Sequence, residues 1–330
     1  KFLLKNSFKL FQTIMQNLFL NSLNLMALIC LSVKRPAYAP PKAFSVVIDF
    51  IPLLLPITSL IAEEIPNSSA PPLIMGIFPR HNATDTMTAF RPLAQHLSVQ
   101  LGREVKLITA KDFKSFWQGL QQQDYDLVHY NQYHYVVSHE KQGYQVILKN
   151  EESGEATIAG ALIVRKDSGI NSIADLKGKK ILFGGGPKAM QSYIVATYLL
   201  RQGGLQAGDY IEEFAKNPPN AILSAFYGQA AAAGSGDKVL NSEAIQQQID
   251  TEQLKFLARG EQLAHLPWAV KGTMNTELRD KIQNLLTHLQ DSTEGMKILE
   301  QAHLTALLPA TDEEYDPHRA IIKAVYGNSY

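Results

Sequence analysis

From Leu73 onward, short unbroken apolar runs alternate with stretches whose apolar residues recur at helical spacing. "LIMGIF" (Leu73 to Phe78) is a run of the first kind, ending at Pro79, and reads as a strand buried on both faces. "TDTMTAFRPLAQHLSVQLG" is of the second kind. Met87, Phe90, Leu93, Ala94, Leu97 and Leu101 form its core face, Thr84 reads as its N-cap, Arg91-Pro92 as a kink and Gly102 as its stop. "EVKLITA", the helix "DFKSFWQGLQQ" and the strand "YDLVHY" continue the series into "NQYHYVVSHEK".

A second series starts near Thr157, with strand "TIAGALIVRKDS", short helix "SIADLKG", strand "KKILF" and a helix from Ala189 to Arg201. Strand "YIEEF", helix "NAILSAFYG" and strands "QAAAAGSGD" and "LKFLA" follow. The last part reads as helical, with Asn275 capping "NTELRDKIQNLLTHLQ". Strands joined by helices mean crossover connections and open α/β sheets. Two such series predict two lobes, with a ligand between them at the strand C-terminal ends.

The stretch 1–70 is a different kind of sequence, read here as a leader outside the fold. Lys34, Arg35 and Lys42 precede an apolar run from Phe44 to Ala62, which Glu63 and Glu64 close. That order matches a secretory signal cleaved near Ala62, although Asp49 interrupts the run and Leu60 is large for its place. A retained leader would be a membrane tether, against which Pro52 and Pro56 argue. Cys30 is the single cysteine and lies in this stretch, so the fold contains no disulfide or cysteine metal site.

Composition narrows the function. The 31 basic and 31 acidic residues among 330 give no net charge, which argues against a general nucleic-acid binder. No nucleophile elbow, zinc helix or P-loop is present, so no catalytic residue is assigned and the chain reads as a non-enzyme. His129, His134 and His139 are spaced by five, unlike the i, i+4 pair of a zinc helix, and neither metal nor cofactor is expected. "FGGGPKAM" is a glycine turn entering a helix, which in backbone terms is an anion cradle.

Three tracts carry a resemblance: "GIFPR", "AKDFKSFWQGLQQQDYDLVHYNQYHY" and "ALIVRKDSGINSIADLKGKKILFGGG". Together they resemble the phosphonate-binding proteins of bacterial ABC importers, over about Leu73 to Ala324. The resemblance implies a two-lobed type II periplasmic binding-protein fold, with two open mixed sheets flanked by helices and a ligand cleft between the lobes. Lobe 1 would comprise 71–155 and 266–330, and lobe 2 156–265. The chain would be an exported, periplasmic, monomeric protein that delivers a small molecule to a membrane permease and its ATPase. The alternative is a binding lobe of a sensory or lipid-transfer system.

The resemblance also implies ligand contacts at Phe113, Tyr130, Ala189, Met190 and Asn217; the helix start adds Lys188 and the Gln191 backbone, and Trp268, between Pro267 and Ala269 at the lobe crossover, completes the candidate set. At several of these places the side chains that hold a phosphonate in the family look replaced. A Ser-Thr pair falls at Ala189 and Met190, a Tyr at Phe113, a His at Asn217, and an acidic residue at Leu266. Since an unpaired buried acceptor costs about 1–3 kcal/mol, this set points to another anion or to a large, mostly apolar ligand. Trp117 shares a helical face with Phe113 and Leu120 and reads as core, while Ser235 and Asp237 are candidate cleft donors.

Overall fold

The computed structural model describes residues 70–79 and 83–330. The leader with its cleavage position near Ala62, and Arg80 of "GIFPR", lie outside the described residues.

The first series forms strand β1 (Leu73–Ile77), helix α1 (Ala83–Leu101), β2 (Val105–Thr109), α2 (Phe113–Gln121), β3 (Leu127–His129), α3 (Gln132–Gln142) and β4 (Gln145–Glu151). Helix α1 begins one residue before Thr84, which therefore lies inside it, and runs through Pro92. Phe90, Leu93, Ala94 and Leu97 are its buried face, as their spacing requires. Asp112 caps α2 by accepting from Ser115 N at 2.7 Å, and Asn131 caps α3 by accepting from His134 N at 2.9 Å.

The second series comprises β5 (Thr157–Ile158), β6 (Gly160–Arg165), β7 (Lys180–Gly184), helix α4 (Ala196–Gln202), β8 (Ile211–Ala215), α5 (Pro218–Phe226), β9 (Ala232–Gly236), the one-turn α6 (Glu243–Gln246) and β10 (Leu254–Arg259). A π-helical turn, Met190–Val195, leads directly into α4. The chain ends with β11 (Leu263–Ala264), β12 (Pro267–Val270), α7 (Thr276–Thr287), α8 (Thr293–Gln301), β13 (Ala306–Pro309) and α9 (Asp316–Tyr326).

The strands make two main sheets. One has six strands in the order β13-β4-β12-β3-β1-β2 and the other five in the order β10-β6-β9-β7-β8, while β11 and β5 form a small ribbon. In the first sheet β2, β1 and β3 are parallel, but β12 enters antiparallel between β3 and β4, and β13 pairs antiparallel with β4. In the second, β9, β7 and β8 are parallel, β6 is antiparallel to β9, and β10 is antiparallel to β6. The C-terminal part is therefore not purely helical. Strands β12 and β13 are four residues each and carry a proline at one end, and their partners are distant in sequence, so little local pattern marks them.

The chain passes between the sheets after β4 and again around β11. Helix α9 adds a third link. Arg201 of α4 donates to Ala324 O at 2.8 Å and to Val325 O at 2.9 Å, and Tyr326 donates its hydroxyl to Pro187 O. Among the described residues no helix is long and apolar enough to cross a membrane.

Candidate functional site

Parallel strands of both sheets end around one cavity. Phe78 follows β1, Asn131 and Gln132 follow β3, Gly184 and Gly185 close β7, Lys216 and Asn217 follow β8, and Gly236 closes β9; all of them line a cavity of about 80 Å³. Open α/β sheets place ligands at this end because helix starts and strand ends leave free backbone groups there.

Three helical segments begin at the wall: α3 behind Asn131, the π turn behind Ala189 and α5 behind Asn217. Two glycines permit the close packing. A Cβ on Gly234 would lie 2.3 Å from Ser192 O, and one on Gly184 would lie 2.3 Å from Pro218 Cα. Both sheet strands thus take helix starts against bare backbone. Met190, Gln191 and Ser192 form the first turn and line the cavity, so N–H groups without an intrahelical acceptor sit at its wall.

The polar side chains at the wall are four amides, the Ser192 hydroxyl and the Lys216 ammonium. Asn131 uses both ends of its amide, because Oδ1 accepts from His134 N at 2.9 Å and Nδ2 donates to Lys188 O at 3.2 Å. Asn217 accepts from Asn220 N at 3.0 Å through Oδ1, leaving its NH₂ group as a donor. Gln132 donates to Ala264 O at 3.1 Å, while its buried Oε1 has no partner. Gln191 is 7% exposed, and neither its Oε1 nor its Nε2 has a partner. Apolar walls complete the cavity: Phe113, Ile158, Met190, Val239 and Leu266. No carboxylate lines it.

A groove of about 450 Å³ shares Phe113, Gly185, Ala189 and Lys216 with the cavity. Lys188 sets its ammonium 5.0 Å from the centre of the Trp117 ring, and that ring stacks on His134 at 5.3 Å. Burial, and then the charge of Lys188, lower the His134 pKa to about 3, so its imidazole is neutral.

Of the residues singled out from sequence, Phe113, Ala189, Met190, Gln191 and Asn217 come together at the cavity and Lys188 at the groove. Tyr130 and Trp268 do not line either space. Tyr130 is fully buried, shares a hydrogen bond of 3.1 Å with Ser138 Oγ, and burial raises its pKa well above the usual phenol range. Trp268 is also fully buried, stacks on His129 at 4.5 Å and donates to Asn150 Oδ1 at 2.8 Å. Its strand is an inner one, packed on both faces.

Trp117, read as core, is half-buried at the groove. Ser235 donates to Gly236 O, and Asp237 accepts from Ala159 N and Gln262; neither lines the cavity. Among the described residues no group of three or more possible metal ligands is present. Sequence reasoning passed over Gln132, Ser192 and Lys216. Gln132 and Lys216 come directly after the turns that leave β3 and β8, and that position was their signal.

The sequence family described as periplasmic substrate-binding proteins of phosphonate ABC transporters matches residues 75–315. The phosphonates-binding periplasmic protein of Escherichia coli is 21% identical over 77% of this chain and 78% of its own length. A solved binding-protein component of an ABC phosphonate transporter from Pseudomonas aeruginosa superposes with a TM-score of 0.67 at 18% identity, covering 76% of this chain and 85% of that one. PhnD1 of Prochlorococcus marinus, solved with methylphosphonate, gives 0.68 at 17% identity, covering 77% and 97%. These likenesses show the fold, that of the type II periplasmic binding proteins. The chain belongs to the phosphonate-type periplasmic substrate-binding proteins of ABC transporters. Members of this family bind a small solute and work with membrane permease and ATPase components; they are not enzymes.

Proposed function

We propose that the chain captures a small oxyanion bearing a short apolar substituent in the cavity between its two sheets. The observation that carries this reading is the Gln191 amide, buried at the start of the π turn with both polar atoms unpartnered. An unmade hydrogen bond at such a buried group costs about 1–3 kcal/mol, so a ligand that accepts it recovers that loss. The helix starts favour negative charge at the same wall, and Phe113, Met190 and Leu266 favour an apolar substituent.

The cavity of about 80 Å³ takes a compact head group, and the adjoining groove of about 450 Å³ takes what extends from it. The donors at the cavity wall are amides, backbone N–H groups, the Ser192 hydroxyl and one ammonium, that of Lys216, which suits an oxyanion head.

The further reading is that 71–155 with 266–330 and 156–265 act as two lobes that part and close. Asn131 of the first donates to Lys188 O of the second at 3.2 Å, a contact that parting the lobes would break. In this reading the protein is exported by cleavage near Ala62, or tethered by a retained leader, and works as a monomer.

Thermal-shift assays with methylphosphonate, ethanesulfonate, propionate and neutral propionamide test the ligand class. A ligand at a hundred times its Kd stabilises by about 2.7 kcal/mol, which is roughly 5–10 °C for a chain of this size. At least one of the three anions is expected to give such a shift and propionamide none. Equal shifts with propionamide, or none with any anion, would overturn the reading.

A further inference from the structure

We propose that the ligand carries a second anionic group, which lies in the outer groove on Lys114, Lys188 and Lys216. The substrate class is then a short molecule with two separated anionic ends, one in the cavity and one in the groove. This rests on the cavity being the site of the first anion.

The groove and the cavity are neighbours that share four wall residues, so a ligand whose two ends pass beside those residues spans both. The charge in the groove is unbalanced. Lys114, Lys188 and Lys216 line it against the single carboxylate of Asp112, which already accepts from Ser115 N as the cap of α2. Some lysines elsewhere have carboxylate partners: Lys149 with Glu314, Lys238 with Glu155, Lys271 with Asp126 at 2.9 Å, and Lys180 with Glu213 at 3.4 Å. Among the described residues none of the three groove lysines has such a carboxylate. Three cations against one carboxylate leave the space net positive, which raises the local concentration of anions there.

His134 adds an observation independent of charge. It lies at the groove, is 1% exposed, and neither ring nitrogen has a partner. The ring is sandwiched by stacking, with Trp117 at 5.3 Å and Phe113 at 6.1 Å, so its orientation is fixed. As a neutral imidazole it holds one N–H donor and one acceptor. An oxyanion in the groove takes the donor and leaves the three ammonium groups to balance its charge. The aromatic floor formed by Trp117 and Phe113 suits the short carbon chain that joins the two ends.

Matched ligands that differ only in the second charge test the proposal: propionate against succinate, ethanesulfonate against 3-sulfopropionate, and ethylphosphonate against 3-phosphonopropionate. Affinities are measured by calorimetry in 20 mM and 200 mM NaCl, on the unaltered protein and on a Lys114→Gln, Lys188→Gln double variant. In a pair that binds, the doubly charged member is expected to bind about tenfold more tightly at low salt. The advantage falls at high salt, where screening shortens the reach of exposed charges. It falls to about twofold in the double variant. Both lysines are exposed, so folding is retained, which a melting curve verifies. Equal affinity within a pair that does bind overturns the second group and leaves the cavity reading intact. Failure of every member of every pair overturns both. An advantage that persists in the double variant assigns the second charge to another place and also overturns the proposal.

Discussion

The Lys188 ammonium faces the Trp117 ring at 5.0 Å, so the turn after β7 in one sheet touches a helix beside the other. The Asn131 hydrogen bond to Lys188 O makes the same crossing. Both contacts require the two sheets to be drawn together over the cavity. A cation–π contact at a partly exposed site contributes about 0.5–1 kcal/mol. Lys188→Ala is therefore expected to weaken binding of the stabilising anion about two- to fivefold. Intrinsic fluorescence reads this, since Trp117 is one of two tryptophans and Trp268 is buried away from the cavity. Unchanged affinity would mean that the contact does not hold the closed form.

Gln191→Leu separates stability from binding. Removing a buried amide whose atoms are unpartnered lifts a penalty of about 1–3 kcal/mol from the ligand-free protein. Its melting temperature should rise by a few degrees, while affinity drops tenfold or more because the ligand loses its buried donor. A variant that melts lower and binds as before would show the amide to be structural.

Trp268→Phe should behave in the opposite way. The indole packs against Phe90 and His129 in the core of the six-stranded sheet, and its loss leaves Asn150 Oδ1 without its donor. Denaturant unfolding should show a loss of about 2–4 kcal/mol. Ligand affinity, measured by calorimetry on the folded variant, should stay within about twofold. A tenfold loss would place Trp268 in the site.

Gly184→Ala tests the seat of α5. The added methyl meets Pro218 Cα at 2.3 Å, and backbone cannot swing aside as a side-chain tip does. Overpacking of this kind costs about 1–3 kcal/mol. Because Asn217 precedes Pro218, affinity should fall together with stability. A variant with both unchanged would refute the seating.

His134 and His318 give the pH dependence. Burial lowers both pKa values to about 3 from 6.5, with Lys188 adding to the effect at His134 and Arg319 at His318. Above pH 6.5 both rings are neutral folded or unfolded, and they confer no pH dependence. Between pH 6.5 and 3 only the unfolded chain takes up these protons, so stability is lost as pH falls. The loss is about 1.4 kcal/mol per pH unit for each ring once well below 6.5. NMR of the folded protein should show both imidazoles unprotonated at pH 5. Titration of either near pH 6 would contradict their burial.

The series of strands and helices was legible in the sequence because it is written locally. Unbroken apolar runs such as "LIMGIF" mark strands covered on both faces, and Phe90, Leu93, Ala94 and Leu97 mark a helix face by spacing alone. The same alternation put the ligand at the strand C-terminal ends, where Phe113, Ala189, Met190, Gln191 and Asn217 do gather.

Which way a side chain turns at those ends was decided only by the tertiary structure. Tyr130 follows β3 just as Asn217 follows β8, yet the phenol turns inward to Ser138 while Asn217 faces the cavity. Trp268 is buried because β12 inserts antiparallel between β3 and β4, a pairing of distant segments that no local pattern records. The convergence of three lysines from α2, the turn after β7 and the end of β8 is likewise set by the packing of the two sheets. Local spacing fixes the period of burial along one element. The neighbours of a side chain at the end of that element depend on long-range pairing, which exists only once the sheets have formed.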